Sequence, residues 1–198
     1  GDDINALDEQ KIKIIEDLSD SDITFYELTK NCRNQKRLAE TIEWISNLKP
    51  PYASYLIDDL GEDHFSLKTY EDKKDQNRQV LRLLDRLKRR YDKKNIILLS
   101  PIKKSCGKAL SQKYQKKYYE YGEEFKHQSQ GIAYSTIHSF KGLERAIVIL
   151  TDFDTVNSDR DRALIYVGLS RAKLKAYFFC QTKAKSHFQQ ALRNYQGI

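Results

Sequence analysis

Apolar residues along this chain fall into two alternating spacings, which predict strands and helices in turn. Ile23-Thr-Phe-Tyr-Glu-Leu28 reads as a strand. A helix is predicted from about Gln35 to Asn47, with Leu38, Ile42 and Ile45 on one face and Pro50-Pro51 as its stop. From His64 to Tyr70, Phe65, Leu67 and Thr69 alternate with polar neighbours, as in a half-buried strand. Asp75 to Tyr91 is the clearest helix: Val80, Leu83, Leu84, Leu87 and Tyr91 follow the i, i+3, i+4, i+7 rule.

Three runs are apolar on both faces: Asn95 to Ser100, Ala146 to Thr151 and Ala176 to Cys180. Such strands are covered from both sides, which is the condition of a parallel sheet between helical layers. Helices predicted at Ser158–Ser170 and Ala184–Tyr195 complete the alternation. The expected fold class is therefore α/β, a three-layer sandwich around a mostly parallel sheet, with 1–198 as one domain. Leu56-Ile-Asp-Asp59 follows the double proline and reads as a turn. Lys103 to Gln130 differs in composition, with seven lysines among Tyr114, Tyr118, Tyr119, Tyr121 and Phe125. Basic and aromatic residues in that mixture suit single-strand binding. Tyr114, Tyr118, Tyr121 and Phe125 are also spaced like one helix face, and packing on the body is the expectation.

Composition narrows the class. With 198 residues, 39% hydrophobic and 32% charged, the chain can build one good core. No apolar run approaches the roughly 20 residues a membrane span needs, and no secretory signal is recognisable. Cys32, Cys106 and Cys180 lack metal-ligand spacing, so they read as reduced thiols of a cytoplasmic protein, and no metal site is expected within the chain. Thirty-five Lys and Arg against 28 Asp and Glu leave a net charge of +7. That balance favours polyanionic partners, because each neutralised phosphate releases counterions. The chain opens on Gly1 and contains no methionine, so it reads as a piece of a longer protein.

Two segments concentrate chemistry. Ser135-Thr-Ile-His-Ser-Phe-Lys-Gly-Leu-Glu144 is a polar loop between predicted strands, and loops at a strand's carboxyl end are where open α/β sheets bind ligands. Leu164-Ile-Tyr-Val-Gly-Leu-Ser-Arg-Ala-Lys173 ends an apolar helix in one arginine, just before a core strand. The first segment, as Thr136-x-His138-x-x-Lys141-Gly142-Leu143-Glu144, resembles the fifth motif of superfamily-one helicases of the UvrD/Rep type. Tyr166 to Ala172 resembles their sixth, and order and separation agree. Leu28-Thr-Lys-Asn-Cys-Arg33 resembles the fourth, with Cys32 where an aromatic is usual.

The resemblance implies the C-terminal, second RecA-like motor domain of an ATP-dependent DNA helicase. The family's large insertion between its fourth and fifth motifs is reduced here to about 101–130. Arg33 and Arg171 would supply catalytic guanidinium groups to the γ-phosphate, Glu144 would take the ribose, and Gly142 would let backbone approach the nucleotide. Thr136, His138 and Lys141 would contact nucleic acid. ATP and Mg²⁺ would be shared with an N-terminal motor domain carrying the phosphate loop, since no G-x-x-x-x-G-K-[ST] occurs in this chain. Single-stranded or forked DNA is the expected partner, and hydrolysis would be a property of the full-length enzyme only. Each residue keeps a plainer reading. Arg171 suits a helix C-terminus, Arg33 a surface ion pair, His138 a loop, and Glu144 a solvated carboxylate. The alternative for the whole chain is a helicase-like module that holds nucleic acid or protein without a motor.

Overall fold

A computed structural model describes residues 30–48, 53–57, 64–114, 117–122 and 131–188. The strand expected at 23–28, the double proline and most of the helix expected at 184–195 lie outside those residues.

The main sheet has six strands, and every pairing in it is parallel. In chain order they are β3 (Phe65–Tyr70), β4 (Ile96–Ser100), β5 (Tyr118–Glu120), β6 (Ile132–Thr136), β7 (Arg145–Phe153) and β8 (Ala172–Gln181), arranged β3-β8-β7-β4-β6-β5. Strand β4 is buried at all five positions, as its two-faced apolar run requires. Two further strands, β1 (Lys30–Gln35) and β2 (Ser54–Ile57), form a separate parallel pair. Leu56 and Ile57 are thus strand residues rather than a turn. Their partner strand supplies the backbone hydrogen bonds that a reading by composition cannot see.

Helices cover both faces. On one side, α1 (Lys36–Ser46) and α4 (Asp159–Leu169) bury Leu38, Ile42, Ile45, Ile165 and Leu169 against Leu99, Val148 and Leu150. On the other, α2 (Lys73–Leu87) and α3 (Cys106–Lys113) bury Val80, Leu84 and Leu110 against Ile96, Leu98 and Ile149. The α/β three-layer sandwich expected from the periodicities is therefore the architecture. Helix α1 stops on Asn47 in a left-handed conformation (φ 53°), whose backbone N–H satisfies the last carbonyls. The stop thus comes before the prolines.

Segment 101–130 departs from expectation. Its described part supplies α3 and the edge strand β5, so Tyr118 lies on a strand and not on a helix face. The tyrosines do pack on the body. Tyr118 is buried in one core cluster, Tyr114 lies against that cluster, and Tyr121 meets Phe140 edge-on at 5.2 Å. A spacing of three and four was satisfied by two elements rather than one helix.

Candidate functional site

Arg33 is positioned by a local irregularity. The Asn31 side-chain oxygen accepts from the backbone N–H groups of Arg33 (3.0 Å) and Asn34 (3.1 Å). The β1–β2 register shifts over this stretch. Cys32 and Arg33 both point outward as a result, while Asn34 is buried. The amide nitrogen of Asn34 then donates to the carbonyls of Ser170 (3.2 Å) and Ala172 (2.6 Å). Those residues flank Arg171, so one buried side chain ties the arginine of β1 to the arginine after α4.

Arg171 lies where α4 gives way to β8. Its Nε donates to the Val167 carbonyl at 3.2 Å, one of the carbonyls left open at a helix end. The helix C-terminal reading is thus realised by one nitrogen of the fork. Glu144 precedes β7 as Arg171 precedes β8, and the backbone N–H of Arg145 donates to the Arg171 carbonyl at 2.9 Å. The Glu144 carboxylate pairs with Arg33 (3.9 Å) and with Lys173. Burial depresses the Arg171 pKa, the Arg33 charge adds to this, and Glu144 opposes it. Arg33, Arg171 and Lys173 therefore crowd around one carboxylate, at the amino-terminal edge of β7 and β8. The carboxyl-end rule pointed to the other edge for this loop, and for Glu144 that expectation is corrected, while Arg171 lies as expected between a helix end and a core strand.

The loop from Ile137 to Glu144 explains how both edges are served. Strand β6 ends at Thr136, which pairs with Ser100 at the carboxyl end of β4. Strand β7 begins at Arg145, two residues before the partner of Ile96 at the other end. The connection thus crosses β4 and returns about 20 Å along it. Ile137 and Phe140 are buried beneath it and fix its course. Gly142 has φ +82° with open space where a side chain would be, so the turn itself calls for glycine.

Thr136 is held at the carboxyl edge. Its hydroxyl accepts from the Ser139 backbone N–H (3.1 Å) and donates to the Ser139 hydroxyl (2.8 Å). His138 and Lys141 are exposed beside it and line a cavity of about 270 Å³ with Ile137, Arg160, Ala163, Leu164 and Val167. Among the described residues, no group of His, Cys, Asp and Glu is arranged to hold a metal, and no described helix is long and apolar enough to cross a membrane.

Sequence reasoning missed Asn34 and Lys173, which act through residues it did single out. It also missed Asp152, buried at the end of β7 with φ 68°. One carboxylate oxygen accepts from Gln76 (2.8 Å) and Lys73 (3.4 Å), the other from the Cys106 backbone N–H (2.9 Å) and the Thr151 hydroxyl (2.8 Å). This ties α2 and α3 to the sheet. An aspartate after an apolar run carries no periodic signal for such a role.

Residues 127–179 match the family model of the UvrD-like helicase C-terminal domain. That span holds every singled-out residue except Arg33. Among solved structures, the chain is similar to the C-terminal domain of a possible DNA helicase from Lactobacillus plantarum WCFS1. The match has a TM-score of 0.51 and 17% identity, covering 75% of this chain and 86% of that one. At that identity it speaks for the fold. No curated protein matches the chain in sequence. Over 127–179 this chain is similar to the UvrD-like helicase C-terminal domain, and its α/β fold is that of such a domain from a possible DNA helicase.

Proposed function

We propose that this chain is the C-terminal motor domain of an ATP-dependent DNA helicase, contributing one wall of a nucleotide site and part of a single-strand track. The observation that carries the reading is the meeting of Arg33, Glu144, Arg171 and Lys173, drawn from three distant segments to one edge of the sheet. Three cations around one carboxylate fit a polyphosphate. The two terminal nitrogens of Arg171 have no hydrogen-bond partner among the described residues. Bound ATP with Mg²⁺ would supply the phosphoryl group and its activation, with the phosphate loop on a companion N-terminal domain. Arg171 and Arg33 would stabilise charge on the phosphoryl oxygens, a task for which a planar, permanently charged fork is better suited than an ammonium. Glu144 would exchange an ion pair for ribose hydroxyls, and Gly142 keeps the backbone beside it clear. Thr136, His138 and Lys141 would hold phosphate and sugar at the opposite edge, leaving bases unread.

A module without a motor would use the same guanidinium groups only to hold an anion, so the measurement that separates the two readings is turnover. In the intact protein, Arg171→Ala should lower ATP turnover by about 10³ with the fold retained, and Arg171→Lys should restore little of it. Turnover within a few-fold of the parent in Arg171→Ala would defeat the assignment.

A further inference from the structure

Strand β3 ends the main sheet, and among the described residues it pairs with β8 alone. The N–H of Ala176 donates to the His64 carbonyl, so the backbone groups of Ser66, Lys68 and Tyr70 also turn towards β8. Backbone direction alternates along a strand, and Phe65, Leu67 and Thr69 turn theirs outward. One outward group is taken, since the Gln79 side chain donates to the Thr69 carbonyl at 2.9 Å. The N–H and C=O groups of Phe65 and Leu67 have no backbone partner among the described residues. A row of positive charge stands beside this open edge. Arg78, Arg82 and Arg86 lie four residues apart on α2, and Arg90 continues the row just past its end. All four are exposed. Arg78 pairs with Asp75, while Arg82, Arg86 and Arg90 form no ion pair among the described residues. Two adjoining hollows, of about 600 and 450 Å³, lie between the row and β3 and share Lys68 and Arg86 in their walls. Like charges four apart destabilise a helix, so folding by itself gives no reason for the row.

We infer that the β3 edge takes an added strand from an acidic partner protein, whose alternate carboxylates meet the arginine row. The spacings agree. Arginines four apart on a helix repeat about every 6 Å, and side chains on one face of a strand repeat about every 6.8 Å. The two faces of β3 say what stands between the carboxylates. Lys68 lies on the side of α2, whereas Phe65 and Leu67 pack against the core cluster of the opposite layer. A strand laid beside β3 continues both faces, so its acidic residues alternate with apolar ones. A nucleic-acid backbone would answer the arginines but not the edge, because a phosphodiester has no donor for the Phe65 and Leu67 carbonyls. A second copy of this chain would answer the edge but not the charge, since its own arginines would face these. None of the nucleotide-site residues takes part in this surface.

The probe is a fluorescein-labelled octapeptide of alternating glutamate and valine, titrated with this chain and followed by anisotropy. Its binding should weaken as salt rises, and the double change Arg82→Glu with Arg86→Glu should lower it about ten-fold. A matched peptide with lysine in place of glutamate should bind the double variant more tightly than the parent, a reversal that a misfolded variant could not show. Backbone N-methylation, on the valines of one peptide and on the glutamates of another, separates strand pairing from charge. One set of N–H groups faces β3 and the other faces solvent, so one methylated peptide should lose binding and the other keep it. Equal effects of the two methylations, or no binding of the glutamate peptide at low salt, overturn the added strand. Binding that the double variant leaves unchanged overturns the arginine row as its partner. A short DNA duplex that binds the parent more tightly than the glutamate peptide, and loses that affinity in the double variant, assigns the row to nucleic acid and overturns the acidic strand.

Discussion

Asn34→Ala is the perturbation that separates a braced arginine pair from two neighbouring surface charges. The Asn34 side chain is 3% exposed and donates two hydrogen bonds, at 3.2 and 2.6 Å, to the carbonyls on either side of Arg171. A hydrogen bond of this kind is worth about 1 kcal/mol net, and a buried acceptor left short costs about 1–3 kcal/mol. Among the described residues strand β1 is paired with β2 and not with the six-stranded sheet, so the Asn34 amide is a main polar tie between β1 and the turn at Arg171. The loss is therefore set at about 2–3 kcal/mol.

Trp44 makes the measurement direct. It is the chain's one tryptophan, sits on α1 immediately after β1, and packs on the core. With a urea dependence of about 2 kcal/mol per molar, its fluorescence midpoint should fall by about 1 M in Asn34→Ala. A shift below about 0.2 M would refute the brace. In the intact protein the same change should lower ATP turnover ten- to a hundred-fold, because a small misplacement of a catalytic group costs on that scale. A full stability loss with unchanged turnover would refute the link from brace to catalysis.

Two further outcomes test the carboxyl edge. Asp152→Asn should destabilise by about 2–4 kcal/mol in urea unfolding, because an amide offers one acceptor where buried donors approach both oxygens; a cost under about 1 kcal/mol would contradict this. At Asp154, burial raises the pKa, but hydrogen bonds from Lys73 and Tyr70 and the charges of Lys73 and Lys183 outweigh it, leaving the carboxyl below its ordinary value. Stability from this group is thus complete above the ordinary aspartate pKa and is lost as pH falls through the lower folded value. Tyr70→Phe, which removes a 2.8 Å donor, should flatten the melting-temperature decline between pH 5.5 and 3, and an unchanged slope would contradict the linkage.

The fold was legible wherever one face or both faces of an element had to be apolar. Strand β4 and helix α2 announce themselves because burial constrains every residue or every third and fourth one. Strand β2 did not, because its burial pattern alternates between exposed and intermediate and its partner is distant in sequence. The edge strand β5 was lost among lysines for the same reason: one neighbour and three residues give no period to read. Arg33, Glu144 and Arg171 were legible as motif positions, and the structure brings them together. Asn34 was not legible, because its partners are backbone carbonyls, which every residue has. Lys173 was not legible either, because a lysine at the start of a strand carries no sequence signal of its carboxylate partner.

The edge on which the arginines lie also accounts for their being arginines. In a parallel sheet the carboxyl edge receives the N-termini of the following helices, so anions there can be held by backbone N–H groups and the helix dipole. The amino edge receives helix C-termini, where carbonyl oxygens face outward and the dipole repels anions. A polyphosphate wall at this edge has to be made of side-chain charge strong enough to overcome that field. Arg171 uses the unfavourable end of α4 to its advantage, donating from Nε to the Val167 carbonyl and leaving its terminal nitrogens without a partner among the described residues. Arg33 and Lys173 add charge from β1 and β8, and Glu144 holds them in place. A wall built this way grips charge from one side and encloses nothing. On the proposed function it would suit sensing a nucleotide held by a companion domain, with side-chain charge meeting the anion in place of a phosphate loop.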